Sequence, residues 1–195
     1  MTELESCVLG VVWLRGPCTA YVVRQEFLLS GSSHWSGSGG AIYPLLRRLE
    51  KEKLIRARTH AWGTGKKKEF EITNRGLDEL RAWIGPPVPQ WTAAPTFDPV
   101  RTRMSFLGAL PAAKRAKFVA AARKNVGDEI KVNEEKRDAH DREAEPYEYL
   151  VIIGALRELE ARAKWLGEVA RELDSQRAKS ESTSSRGIGR LKRKP

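Results

Sequence analysis

Apolar residues recur at helical spacing from the start of the chain. Leu4, Val8, Val11 and Val12 share one face. Thr2 and Glu5 precede them in the T-x-x-E arrangement that satisfies the first free N–H groups of a helix. Arg15-Gly16-Pro17 ends that helix. A second helix is predicted from about Thr19, a capping residue, with Ala20, Val23 and Phe27 inward. The stretch SGSSHWSGSGG, Ser30 to Gly40, is a breaker-rich loop. A third helix is predicted over about Gly39 to Lys53, with Ile42, Leu45, Leu46 and Leu49 toward a core. After Leu54 the period changes. Leu54 to His60 reads as a strand, Trp62 to Lys66 as a hairpin turn and Lys68 to Ile72 as the returning strand. Thr73 then caps a fourth helix carrying Leu77, Leu80 and Ile84. Three helices, a hairpin and a helix form the layout of a winged helix-turn-helix.

The second half follows a different pattern. Residues 85–99, GPPVPQWTAAPTFDP, hold five of the ten prolines and predict a stiff, extended linker. A short helix around Val100 to Leu110 offers Val100, Met104 and Leu107. A longer one, about Pro111 to Arg142, carries Phe118, Ala121, Ala122 and Ile130. Beyond Pro146, Ile152, Leu159, Leu166 and Leu173 recur every seven residues, with Tyr149, Leu156, Ala163 and Ala170 in the companion positions. That heptad predicts a coiled-coil-like dimer seam; the alternative is a bundle within one chain. Residues 174–195 lose their large apolar side chains, gain Ser, Lys and Arg, and predict a disordered basic tail. The expected fold class is therefore mainly α, an α+β winged helix-turn-helix over residues 1–84, the linker 85–99, a helical dimerisation arm over 100–173 and the tail 174–195.

Charge narrows the choice of partner. The net charge of the 195 residues is +10, which favours a polyanion such as nucleic acid. Residues 1–84 contribute +4, residues 85–173 only +1 and the tail +5. The helical arm is thus electrically balanced. The excess matters where it is concentrated, on the third helix and the hairpin. No apolar run approaches the roughly 18 residues of a membrane-spanning helix, and the acidic N-terminus does not read as a signal peptide. Cys7 and Cys18 are too few for a disulfide framework. A cytoplasmic setting is expected.

With Ile42 turned inward, the opposite face of the third helix collects Gly40, Tyr43, Arg47 and Lys51, with Arg48 on the flank. An arginine there can donate two hydrogen bonds to a guanine edge, and tyrosine and lysine can reach phosphates. Ser36 and Ser38, just before the helix, are candidates for a phosphate seat on free N–H groups; an ordinary serine cap explains them as well. Lys66, Lys67 and Lys68 follow one another at the hairpin. They repel one another and gain nothing for folding, so a phosphate backbone is their expected counter-charge. A solvated helix face and a solvated turn are the bland alternatives.

The run Gly40-Ala41-Ile42-Tyr43-Pro44-Leu45-Leu46-Arg47-Arg48-Leu49-Glu50, followed by Leu54-Ile55, closely resembles the recognition-helix signature of the PadR family of bacterial transcriptional regulators. The Leu4 to Gly10 segment and the Ile72-Thr73-x-x-Gly76-x-x-x-Leu80-x-x-Trp83 pattern resemble that family too. The resemblance implies a homodimeric repressor whose winged helix binds an inverted repeat in promoter DNA. It also implies dimerisation through C-terminal helices and release by a small-molecule effector. It places Tyr43 and Arg47 at DNA-facing positions and Lys66 to Lys68 in a basic wing. The Ser30 to Gly40 loop departs from the compact members in length. Pro44 fits a helix's first turn and is a geometric device rather than a contact.

Nothing in the chain reads as an enzyme. His34, His60 and His140 show no metal-binding spacing, and no nucleophile-elbow or Walker sequence occurs. No cofactor is expected. Trp13, Trp83, Trp165, Tyr147 and Tyr149 are candidates for lining an effector pocket or, more simply, for core and seam. The leading reading is a dimeric, sequence-specific repressor. A winged-helix protein-interaction module and a nonspecific nucleoid-type DNA binder are the alternatives.

Overall fold

The structure, a computed structural model, describes residues 1–29, 40–63, 65–95 and 97–191. The chain divides into two compact units, Met1–Pro95 and Thr96–Pro195.

The first unit is built from α1 (Glu3–Arg15), β1 (Cys18–Thr19), α2 (Ala20–Leu29), α3 (Ile42–Lys51), β2 (Ile55–Trp62), β3 (Gly65–Ile72) and α4 (Asn74–Ile84). The capping box of α1 is formed: the Thr2 N–H donates to Glu5 at 2.6 Å and the Glu5 N–H to the Thr2 hydroxyl at 3.3 Å. Val8, Leu9 and Val12 of α1, Val23 and Phe27 of α2, and Ile42, Leu46 and Leu49 of α3 make one core with Ile55, Phe70 and Leu80. The three-stranded antiparallel sheet has the order β1-β3-β2. Its edge strand β1 is absent from the sequence reading. Cys18 pairs with Phe70 and Thr19 with Glu69, a two-residue ladder too short to leave an alternating pattern. Thr19 still caps α2, accepting from the Val22 N–H at 3.3 Å.

Two junctions fix the hairpin to the helices. Lys53 follows α3 at φ 59°, the left-handed conformation that ends helices. Leu54 N–H then returns to the Leu49 carbonyl at 2.9 Å. At the other end, Thr73 caps α4 by accepting from the Gly76 N–H at 3.0 Å, while its own N–H donates to the Leu54 carbonyl at 3.0 Å. A side chain at Gly76 would fall on that carbonyl oxygen, so only glycine lets α4 approach.

The second unit begins at α5 (Pro99–Met104), continues through a 3-10 turn at Leu107–Ala109, and is dominated by α6 (Ala112–Ala139) and α7 (Pro146–Leu191). Asp98 caps α5, its Oδ1 accepting from the N–H groups of Val100 at 2.8 Å and Arg101 at 3.2 Å. Its other oxygen meets Arg162 Nε at 3.1 Å. So Asp98 and Pro99, read as linker, open a helix instead; another turn, Gln90–Ala93, also lies inside that stretch. Ala122 and Val126 of α6 bury Leu166 of α7, with Ile130, Leu159 and Ala163 against them. The two helices therefore run antiparallel. The inward face of α6 is Val119, Ala122 and Val126, whereas the expected Ala121 is exposed.

One further expectation is corrected here. The tail expected to be disordered from residue 174 continues α7 as far as Leu191. Part of the heptad expected to form a dimer seam, Leu159, Ala163 and Leu166, packs on α6, in line with the alternative of a bundle within one chain. Leu156 and Leu166 are buried, and Tyr149, Ile152, Leu159 and Leu173 are partly buried. That part of the pattern finds its partner in α6, which sequence periodicity alone cannot distinguish from a second chain.

Candidate nucleic-acid interface

The amphipathic split of α3 is sharp. Ile42, Leu46 and Leu49 are buried, while Tyr43, Arg47, Arg48 and Lys51 are exposed. Pro44 falls in the first turn, where its missing N–H leaves no bond unmade. The regular helix starts at Ile42 rather than near Gly39. Arg48 turns aside from the exposed face to form an ion pair with Glu5, which is itself buried. It therefore braces α3 against α1. Ser36 and Ser38 lie outside the described residues.

The hairpin is a regular antiparallel ladder from Ile55↔Ile72 to Trp62↔Gly65. At the tip Gly63 takes φ 53°, a left-handed conformation that glycine adopts without strain. Alternation along β3 separates the three lysines. Lys66 and Lys68 share a face with the buried Phe70; Lys67 shares the other with Glu69 and Glu71.

That second face is laced with opposite charges. Arg56 and Arg58 both reach Glu71 at 2.9 Å, Lys67 reaches Glu69 at 2.7 Å, and His60 lies 3.5 Å from Glu69. The hydrogen bond from Lys67 holds the Glu69 carboxyl below its ordinary value. On the first face Lys68 Nζ lies 2.8 Å from Glu50 Oε2 on α3 and 5.1 Å from the centre of the Phe70 ring. Lys67 and Lys68 both meet carboxylates within the unit, so a phosphate backbone is not their sole counter-charge, and Lys66 is the exposed lysine nearest the tip. The sequence reading passed over Glu50. The signal was present, because Glu50 follows Tyr43 by seven residues, almost two full turns, and so projects from the same side.

Of the aromatic candidates, Trp83 donates from Nε1 to Glu3 at 3.2 Å, Trp165 packs beside the α6–α7 core, and Tyr149 lies under Arg142 at 5.3 Å. Trp13 and Tyr147 are exposed. At the turn between α6 and α7, His140 Nε2 lies 3.4 Å from Glu145 and 3.9 Å from Glu148, a cluster the search for metal spacing did not register. Among the described residues no helix is long and apolar enough to cross a membrane.

Three helices around one core, a recognition helix with a polar outer face and a two-stranded wing define a winged helix-turn-helix protein. Residues 8–82 match the Transcriptional regulator PadR-like family. The negative transcriptional regulator PadR of Bacillus subtilis is 32% identical over 85 residues, a match spanning 43% of this chain and 46% of that protein. The chain thus matches just under half of this relative's length. Among solved structures, B. subtilis PadR in complex with operator DNA resembles the fold with a TM-score of 0.75 at 21% identity, covering 88% of this chain and 99% of that one. The same regulator in complex with p-coumaric acid gives 0.68 at 21% identity, covering 88% and 95%. The Vibrio cholerae virulence activator AphA gives 0.65 at 19% identity, covering 89% and 99%.

Proposed function

We propose that the chain is a dimeric, sequence-specific DNA-binding transcriptional repressor. Tyr43, Arg47 and Lys51 of α3 enter the major groove, Arg47 reads a guanine edge, and the wing follows the phosphate backbone with Lys66. The observation that carries this reading is the outer face of α3. Arg47 and Lys51 stand exposed there opposite the fully buried Ile42, Leu46 and Leu49, with the exposed Tyr43 on the flank. Ser36 and Ser38 remain candidates for the phosphate at the entry to that helix.

A single winged helix covers few base pairs, so two copies on an inverted repeat supply the specificity. The second copy joins through α7. Tyr147, Leu150 and Val151 of its first turns are 82%, 62% and 72% exposed. With Gly154 they follow the i, i+3, i+4, i+7 stripe of a helix-packing face, on the side away from the α6 seam. This face replaces the heptad positions as the proposed dimer contact. Release from DNA is assigned to a small-molecule effector. The p-coumaric acid bound by the B. subtilis regulator makes a phenolic acid the first compound to test.

The test is selection of fragments from the organism's own genomic DNA on the full chain, followed by binding measured against salt. The expected result is an inverted repeat bound at least about a thousandfold more tightly than random duplex, with affinity falling steeply as salt rises. Arg47→Ala should level the preference at one base pair of each half-site. Equal affinity for selected and random duplex would overturn the reading.

A further inference from the structure

The recognition face of α3 carries a contradiction. Glu50 lies almost two turns along the helix from Tyr43 and about 20° from it in phase, half-buried on the flank between Leu46 and Arg47, so its carboxylate sits at the edge of the side proposed to meet DNA. A bare carboxylate there would repel the phosphate backbone. Lys68 resolves this. It reaches across from β3 and places Nζ 2.8 Å from Glu50 Oε2, with its charge also over the Phe70 ring at 5.1 Å. Phe70 is buried in the core and fixed in register opposite Ala57. The Lys68 stem is therefore anchored at its base, and its ammonium is committed to a carboxylate.

We propose that Lys68 is a positioning residue rather than a phosphate contact. It neutralises Glu50 at the edge of the reading face and ties the wing to the recognition helix at one fixed angle. The phosphate contact of the wing passes to Lys66, which shares the face of Lys68 two residues nearer the tip and is exposed. An ion pair this exposed contributes little to folding, so its value lies in binding. The inference rests on the DNA-binding reading above and separates two lysines that sequence alone leaves equivalent.

A double-mutant cycle on the full chain decides it, with affinity for the selected duplex, or for random duplex if none is preferred, as the readout. Lys68→Ala should weaken binding about tenfold, and adding Glu50→Gln should restore it to within about threefold of the parent. Lys68→Arg should keep parental affinity, and thermal midpoints should scarcely move. Lys66→Ala should weaken binding with no rescue by Glu50→Gln and lower the salt slope by about one. If the Lys68→Ala loss is the same with Glu50 or Gln at that position, Lys68 is an ordinary phosphate contact and the inference fails, while the DNA-binding reading stands. If the parent chain binds no duplex at all, both fall.

Discussion

The two units solve the problem of burying apolar surface in opposite ways. The winged helix gathers residues from every one of its helices and from β2 and β3 around one centre. Each element covers another, and polar groups at the junctions are used up: Thr2 with Glu5, Thr73 with Leu54 and Gly76, Arg48 with Glu5. The helical unit has one main contact, α6 on α7, and its deepest residues are few: Val119, Ala122, Val126, Leu156 and Leu166. A helix pair buries only one stripe of each member and leaves the rest for water or for another chain. The first unit is closed around one centre. The second has surface to spare, as the proposed assembly through α7 requires.

That contrast can be broken from either side. The largest effect is expected at Gly76→Ala, which drives a methyl group onto the Leu54 carbonyl. It should cost the winged-helix unit about 3 kcal/mol, read by urea denaturation, while the helical unit keeps its helicity. An unchanged midpoint would show that α4 can slide, and that the first unit is less tightly joined than its geometry implies. Next comes the double change Leu150→Glu with Val151→Glu. It should weaken self-association about a hundredfold by sedimentation and leave the winged helix folded. Undiminished association would remove the proposed face.

Asp98→Ala removes the cap of α5 and strands Arg162, and should cost the second unit about 2 kcal/mol, measured as a lower thermal midpoint. Alkali should separate the units more gently. Burial pushes the Cys7 and Cys18 thiols up to about 11 from an ordinary value of 9.0. A group that ionises later in the folded state stabilises fully below pH 9, and that contribution is lost as pH rises from 9 to 11. Both thiols lie in the first unit, so it should weaken first in that window, followed by near-ultraviolet circular dichroism. The smallest effect is a gain. Lys53→Gly relieves a left-handed residue and should add about 0.5 kcal/mol, seen as a slightly higher denaturation midpoint.

Much of the first unit was legible because its patterns are local. Capping boxes, a helix face and a glycine turn each announce themselves within a few residues, and α1, α3, the hairpin and α4 follow them. The strand Cys18–Thr19 was not legible, since two residues carry no period and their pairing with β3 is a long-range event. The ion pairs of the wing are not legible for a related reason. A run of lysines looks uniform in sequence, yet alternation in β3 sends Lys67 to Glu69 and Lys68 to Glu50. In the second unit the heptad was real and its helix was placed correctly. Its partner is not legible from periodicity, because Leu166 satisfies the same spacing against Ala122 and Val126 of α6 as it would against a second chain. The extension of α7 past residue 174 is not legible either, since that segment is rich in Ser and Gly and lacks an apolar stripe.

The pairing of Trp62 with Gly65 has a consequence for how this wing can evolve. Because side chains alternate along β3, removing one residue from the tip while keeping the loop would exchange its two faces. Phe70 would leave the core, and Glu69 would be driven into it. Length can therefore change in this hairpin only by even steps, or at the cost of a bulge that absorbs the odd residue. Relatives with longer or shorter wings should differ from this one by two or four residues, and the position of Lys68 beneath the recognition helix should survive each such change.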